Sequence, residues 1–247
     1  MSGRWLSIIG IGEDGREGLS AAALRLIDTA ELIIGGKRHL ELIGDAPGDK
    51  VEWEKPLEAT ATTIMAKRGR PVVVLVSGDP FWFGAGVTLA RSIPLEDMLV
   101  VPGPSSFSVA ASRLGWALQD VTTLGLNMCG LVPLIRRHLH NRRRILALSL
   151  NGSTPAEVAS LLTEVGFGAS ELIVMEALGG RRERIRKTKA EAFDLGDVDP
   201  LNIIAIDVVA GPNARPISFG SGLPDSYFEN DGQLTKREIR AVTLSSL

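Results

Sequence analysis

Four short apolar runs, at 5–9, 31–34, 71–76 and 98–101, alternate with stretches of helical period, and this rhythm limits the fold more than any other feature. The runs lack the polar alternation of a half-solvated strand, so each has to be buried on both faces. Ser20 stands as an N-cap before a helical run that opens Ala21-Ala-Ala-Leu-Arg-Leu-Ile. A looser helical period covers 57–67, a short one 86–92, and another runs from Ser105 or Ser106 to a stop at Gly115. Such strand–helix alternation predicts a parallel sheet covered by helices on both faces.

The rhythm pauses at 120–130 and then restarts. A helix is predicted at 131–140, a strand at 144–150, a helix at 155–164 with Pro155 in its first turn, and strands at 172–176 and 202–209. The segment 184–188 alternates weakly and fits an antiparallel strand. The reading is an α/β chain of two domains, 1–122 and 123–210, each a mainly parallel sheet flanked by helices. Residues 211–222 are rich in Gly and Pro and read as a linker. Thr235-Lys-Arg-Glu238 has the pattern of a capping box that opens a helix. That helix is either a short terminal one or, with the linker, the start of a further module.

Composition narrows the function. With 27 Lys+Arg against 29 Asp+Glu, the net charge of −2 argues against a nucleic-acid binder built on phosphate contacts. A single cysteine, Cys129, excludes an internal disulfide and a zinc site of several thiolates, and reads as a small apolar residue in the interdomain loop. The three histidines are too scattered to suggest a metal site. No apolar run approaches the ~18 residues of a membrane span, and the opening MSGRWLSIIGIGEDG lacks the core of a signal peptide. The expectation is a cytoplasmic protein with no nucleic-acid or membrane partner.

Three strand-end segments are candidates for chemistry. Gly10-Ile-Gly12-Glu-Asp-Gly15 satisfies G-x-G-x-x-G, yet Arg16-Glu-Gly-Leu separates it from the helix, and Gly35-Gly-Lys-Arg stands where an acid would hold a ribose. Glu13 and Asp14 would also repel a pyrophosphate, so a plain strand-to-helix turn is as good a reading as any ligand role. Ser77-Gly-Asp-Pro-Phe-Trp-Phe-Gly84 offers backbone approach at Gly78, an acceptor at Asp79 and flat apolar walls, although its aromatics also suit a plugged interface. Pro102-Gly-Pro-Ser-Ser-Phe107 brings two hydroxyls and free N–H groups to a helix start, where simple capping by Ser105 is the alternative. No His partner for a serine nucleophile is marked. The basic stretches 136–144 and 181–189 read as solvated faces or as arginine forks for a polyanion.

Taken together, GIGEDG, GGKRHL, SGDPFWFG and PGPSSFSVAASRLGW resemble the tetrapyrrole methylase family of the corrin pathway over about residues 5–210. GGKRHL and the segment from Leu178 to Arg186 are similar to the branch that methylates carbon 5 of a precorrin. The tail from Leu223 is similar to the opening of a decarboxylating carbon-15 methyltransferase module. The resemblance implies the two-domain tetrapyrrole methylase fold, with S-adenosylmethionine in a cleft between the domains, and a homodimer. It also implies that 211–247 is a linker and the start of a second methyltransferase module. Ser77, Gly78, Asp79 and Trp82 would line the cofactor, Ser105 and Ser106 would meet its polar groups, and Leu150, Leu178, Gly179, Asn202 and Ile203 would enclose the adenosine. Gly10, Gly12 and Glu13 would lie beside the tetrapyrrole, whose carboxylates Lys37, Arg38, His39 and Arg113 would anchor. On that reading, charge reversal at Arg38 disturbs the substrate more than the cofactor. No general base is assigned. The substrate is cobalt-free, or cobalt-bearing on the anaerobic route; an NAD(P) oxidoreductase and a non-catalytic docking half are the readings of other classes.

Overall fold

The computed structural model describes residues 3–54, 56–126, 132–218 and 220–246. Its chain forms two compact units, Met1–Gln119 with Met175–Ile185 and Leu201–Ile203, and Asp120–Val174 with Arg186–Pro200 and Ile204–Leu247. The sequence places the break at 122; the structure also gives two later segments to the first unit.

The first unit holds a five-stranded sheet in the order β3-β2-β4-β1-β5. Its strands are β1 (Leu6–Ile11), β2 (Leu32–Gly35), β3 (Asp49–Glu52), β4 (Val72–Ser77) and β5 (Met98–Val101). Every neighbouring pair is parallel. All of β1 and β2 and most of β4 are buried, as continuous apolar runs require. Each fully buried Ile or Leu in them contributes roughly 1.5–3 kcal/mol. Two clusters pack on the sheet, one around Ile8, Ile34, Ile64 and Val74, the other around Ile9, Ile27, Ile33 and Leu75. Alternate residues of one strand therefore feed opposite clusters.

The helices of this unit are α1 (Ala21–Asp28), α2 (Lys37–Ile43), α3 (Leu57–Met65), α4 (Ala85–Leu89) and α5 (Ser106–Leu114). Ser20 caps α1 by accepting from the Ala23 N–H, and Ser105 caps α5 by accepting from the Ser108 N–H, each at 3.2 Å. Gly115 ends α5 in the left-handed conformation.

The second unit is built on the order β6-β7-β10-β8-β9. These strands are β6 (Val121–Gly125), β7 (Arg144–Leu148), β8 (Glu171–Glu176), β9 (Arg184–Lys189) and β10 (Asn202–Asp207), with β6 and β7 parallel. Between and after them run α6 (Val132–Arg136), α7 (Thr154–Glu164) and α8 (Arg237–Ser245). Its core gathers Ile145, Val158, Leu162, Phe167, Ile204 and Ile206. The expected capping box at Thr235 is not formed: Lys236 is the N-cap of α8 and makes no side-chain cap bond. Arg240 instead reaches back to the Thr235 carbonyl, the Leu223 carbonyl and Asp225. No helix among the described residues is long and apolar enough to cross a membrane.

Candidate active site at the carboxyl edge of the first sheet

In an open parallel sheet, ligands sit beyond the carboxyl ends of the strands. Here β1 lies between β4 and β5, so the loops leaving these three strands emerge side by side. They interlock through glycines. The Gly78 N–H donates to the Ile11 carbonyl and the Gly103 N–H to the Gly78 carbonyl, each at 3.1 Å. A Cβ on Gly10 would lie 1.7 Å from the Gly78 oxygen and 2.5 Å from the Gly103 nitrogen. Gly78 has φ +55°. Gly10 is thus the fifth residue of β1, pressed backbone to backbone, and its lack of a side chain serves that contact.

The rest of the first loop folds on itself. A Cβ on Gly12 or Gly18 would strike the Asp14 carboxylate, at 2.6 and 2.0 Å. Residues Gly15–Gly18 form a 3-10 turn before α1, where a dinucleotide fingerprint would already be helical. Glu13 points elsewhere and forms an ion pair with Arg38. That pairing supplies the role the motif left open for Glu13.

Arg38 and His39 belong to the first turn of α2, a helix that the sequence left unread because GGKRHL looks like a strand-end loop. His39 is buried, with 5% of its surface exposed. Its Nδ1 accepts from the Gly36 N–H at 3.3 Å, and its ring stands T-shaped to Trp53 with centroids 5.3 Å apart. A nitrogen that accepts carries no proton, so the neutral ring keeps its hydrogen on Nε2. Nε2 lies 2.9 Å from Ser77 Oγ and 3.2 Å from Arg38 Nη2; in the tautomer that the Gly36 contact selects, it donates to the hydroxyl. Burial, reinforced by the Arg38 charge, lowers the His39 pKa to about 4, so the ring is neutral at pH 7. Arg38 Nη2 donates to the same Ser77 Oγ at 2.8 Å. Burial, and secondarily the charge of Arg182, lowers the Arg38 pKa as well. Lys37, by contrast, is exposed.

Beyond Ser77 the chain turns at Gly78. The Asp79 carboxylate accepts from the Phe81 N–H at 2.8 Å, which holds the tip of the loop. Phe81, Trp82 and Phe83 are 42, 50 and 46% exposed. Trp82 and Phe83 lean on the buried Phe107 of α5, with centroids 6.4 and 5.7 Å away. Phe83 has φ +52°, a strained setting for an aromatic residue. Ser105 Oγ caps α5 and lies 3.0 Å from Ser108 Oγ, and Ser106 is exposed.

The segment between β8 and β9 belongs to the same unit. A Cβ on Gly180 would come within 2.8 Å of Glu13 Cβ, so this segment lies against the first loop. Arg113 of α5 makes a bidentate pair with Glu183, at 2.7 and 3.1 Å, and the Gly179 N–H donates to the same carboxylate at 2.7 Å. The Arg113 hydrogen bond, assisted by Gly179 and opposed by burial, holds the Glu183 pKa below the usual range. Leu178 is half-buried and Gly179 exposed, whereas Asn202 and Ile203 are buried at the start of β10. Leu150 falls in the second unit and is 51% exposed. Ten of the eleven residues expected around the cofactor therefore belong to one unit.

One expectation changes. Arg38 touches both Ser77, expected at the cofactor, and Glu13, expected at the tetrapyrrole, so its charge reversal disturbs both sets of contacts. The stretch 181–189 is mostly exposed, as a solvated face is; within it Arg184 pairs bidentately with the buried Glu176, Lys187 lies 3.8 Å from Glu171, and Arg186 donates to the Gly196 carbonyl. Glu183 and Trp53 were not read from the sequence as parts of the site. The one acid within a basic stretch was the available signal for Glu183; Trp53 had none. No group of three or more His, Cys, Asp or Glu among the described residues could hold a metal ion. Cys129 lies outside the described residues.

The model of the Tetrapyrrole (Corrin/Porphyrin) Methylases matches residues 6–194. A precorrin-6Y C(5,15)-methyltransferase [decarboxylating] of Sinorhizobium sp is 52% identical over 244 residues, 98% of this chain and 59% of the relative. The chain thus spans about three fifths of that relative's length. A cobalt-precorrin-7 C(5)-methyltransferase of Salmonella typhimurium is 30% identical over 203 residues, 82% of this chain and 98% of the relative. The crystal structure of a cobalamin biosynthesis precorrin-6Y methylase from Archaeoglobus fulgidus superimposes with a TM-score of 0.62 at 29% identity, covering 83% of this chain and 98% of that one.

Proposed function

This chain belongs to the tetrapyrrole (corrin/porphyrin) methylase family, and from that premise we propose that it methylates carbon 5 of a precorrin in cobalamin biosynthesis, with S-adenosylmethionine as donor. The observation that carries the reading is the direction of the Ser77–His39 hydrogen bond. A serine nucleophile needs a base that accepts its proton, and His39 donates instead. The edge is therefore equipped to bind and orient, which is what methyl transfer asks of a protein.

S-adenosylmethionine, when bound, supplies a methyl group already activated by its sulfonium charge. The chain's own residues hold the reactants in line and exclude water. Ser77, Gly78, Asp79 and Trp82 line the donor, Ser105 and Ser106 meet its polar groups, and Leu150, Leu178, Gly179, Asn202 and Ile203 enclose its adenosine. The exposed Trp82 ring suits a flat apolar surface. Gly12, Glu13, Lys37 and Arg38 border the macrocycle. The same reading includes a cytoplasmic homodimer and a second methyltransferase module in the same polypeptide, for which the greater length of the 52% identical relative leaves room.

Calorimetry with S-adenosylhomocysteine tests the donor, with a Kd of ~1–100 μM expected. No association at millimolar ligand rejects the reading. Methyl transfer to cobalt-free and cobalt-bearing precorrins in parallel then separates the two substrate classes. The 52% relative favours the cobalt-free one.

A further inference from the structure

The Ser77 hydroxyl has two lone pairs and one proton. Both lone pairs are taken, by His39 Nε2–H at 2.9 Å and Arg38 Nη2–H at 2.8 Å. Neither donor can accept the serine's own proton: the guanidinium has no acceptor, although its Nη2 also lies 3.2 Å from Nε2, and Nε2 carries the ring hydrogen in the tautomer that the Gly36 N–H selects at Nδ1. Among the described residues these two are the hydroxyl's side-chain partners. Ser77 is the exposed last residue of β4, so its proton faces away from the network toward the strand-end edge.

The network behind it is braced on every side. Gly36 N–H holds His39 Nδ1, and the T-shaped contact with Trp53 restrains the ring plane. Glu13 holds the far side of the Arg38 guanidinium. A Cβ on Gly36 would come within 3.2 Å of Trp53, so this corner has little freedom to rearrange. Two donors on one oxygen polarise it and strengthen the bond that it can give.

We infer that His39 and Arg38 are positioning residues that lock the Ser77 hydroxyl as an outward hydrogen-bond donor to a carboxylate of the bound reactants. The assignment rests on the methyl-transfer reading, in which both reactants carry carboxylates: the amino-acid end of the donor and the side chains of the macrocycle. A carboxylate is the matching acceptor because it offers only lone pairs, and it sits well beside the charge of Arg38.

The test has two parts, both on the intact 247-residue chain. Nitrogen-15 NMR of the imidazoles reads the tautomer without any ligand. A proton on His39 Nε2 at pH 7 is expected, and a proton on Nδ1 overturns the inference alone. Binding and kinetics of Ser77→Ala, His39→Ala, His39→Gln and the double alanine variant read the positioning. Ser77→Ala should weaken one reactant about tenfold, the loss of one charge-assisted hydrogen bond. His39→Ala should weaken it less and add nothing in the Ser77→Ala background, while His39→Gln, which keeps an N–H near the Nε2 position, should restore most of the loss. A raised Kd for S-adenosylhomocysteine places the carboxylate on the donor; a raised KM for the precorrin alone places it on the macrocycle. Unchanged constants in Ser77→Ala, or additive effects in the double variant, overturn the inference and leave the methyltransferase standing. Wild-type protein that binds no S-adenosylhomocysteine overturns the reading beneath it.

Discussion

Arg38 and Arg113 each meet one carboxylate of the first unit, yet the two neighbourhoods are wired differently. Arg113 gives two parallel bonds to Glu183, whose Oε2 also accepts from the Gly179 N–H. Every bond there ends within the chain, and the arginine is an exposed clamp between α5 and the segment before β9. Arg38 shares itself between Glu13 and Ser77, beside a buried neutral histidine. Its chain of donors ends on a hydroxyl that still has a proton to give. Two ion pairs of the same chemistry thus serve different ends, and what decides is where their last hydrogen bond points.

The contrast can be broken most directly at Arg38. Arg38→Glu sets a second carboxylate against Glu13 and removes a donor from Ser77, and kcat/KM should fall on the order of 10²-fold. Donor and macrocycle affinities should decline together in calorimetry and steady-state assays; a change in the macrocycle alone would make Arg38 a simple anchor. A second effect is read from stability against pH. The unfolded His39 takes up a proton near pH 6.5, whereas the folded ring, buried beside Arg38 with Glu13 on the far side of that guanidinium, waits until about 4. The unfolded chain therefore binds more protons in that window. The stability from the neutral ring is complete above pH 6.5 and drains as pH falls to about 4, by about 3 kcal/mol. Urea titrations across that range should show the slope, and His39→Gln should flatten it. The smallest effect belongs to the clamp: Glu183→Gln should change kcat/KM about twofold or less, as exposed pairs usually do. A large loss there would mean that Arg113 also reaches a reactant.

Most strands and helices were legible because burial on both faces leaves an unbroken apolar run, as in 71–76 for β4. What escaped had no such signal. β3 is an edge strand whose residues are all exposed, so Asp49-Lys-Val-Glu52 carries no hydrophobic pattern. β6 is only partly buried throughout and begins where the rhythm pauses. α2 starts within a glycine-rich motif, and its cap is a histidine ring nitrogen rather than a hydroxyl. At the site, residue types and loop positions were readable, since strand ends are where ligands bind. The partners were not: Glu13 with Arg38 spans 25 positions, and Arg113 with Glu183 spans 70. Pairings at that separation are set by the sheet order, which periodicity alone does not encode. The basic stretch 181–189 was legible as a solvated face, whereas its pairing with Glu176 and Glu171 was not.

The glycine contacts at Gly10, Gly78 and Gly103 carry a consequence for how this enzyme class can diversify. A methyl group added to Gly10 would push on two neighbouring loops at once, so the inner ring of the site has to be inherited as a unit. The outer ring is negotiable in part. Phe81, 42% exposed, projects from a turn held by Asp79 and can be exchanged without moving the backbone lock beneath it, whereas Trp82 and Phe83 are tied to Phe107. A new acceptor ring is best accommodated by redesign at that tip.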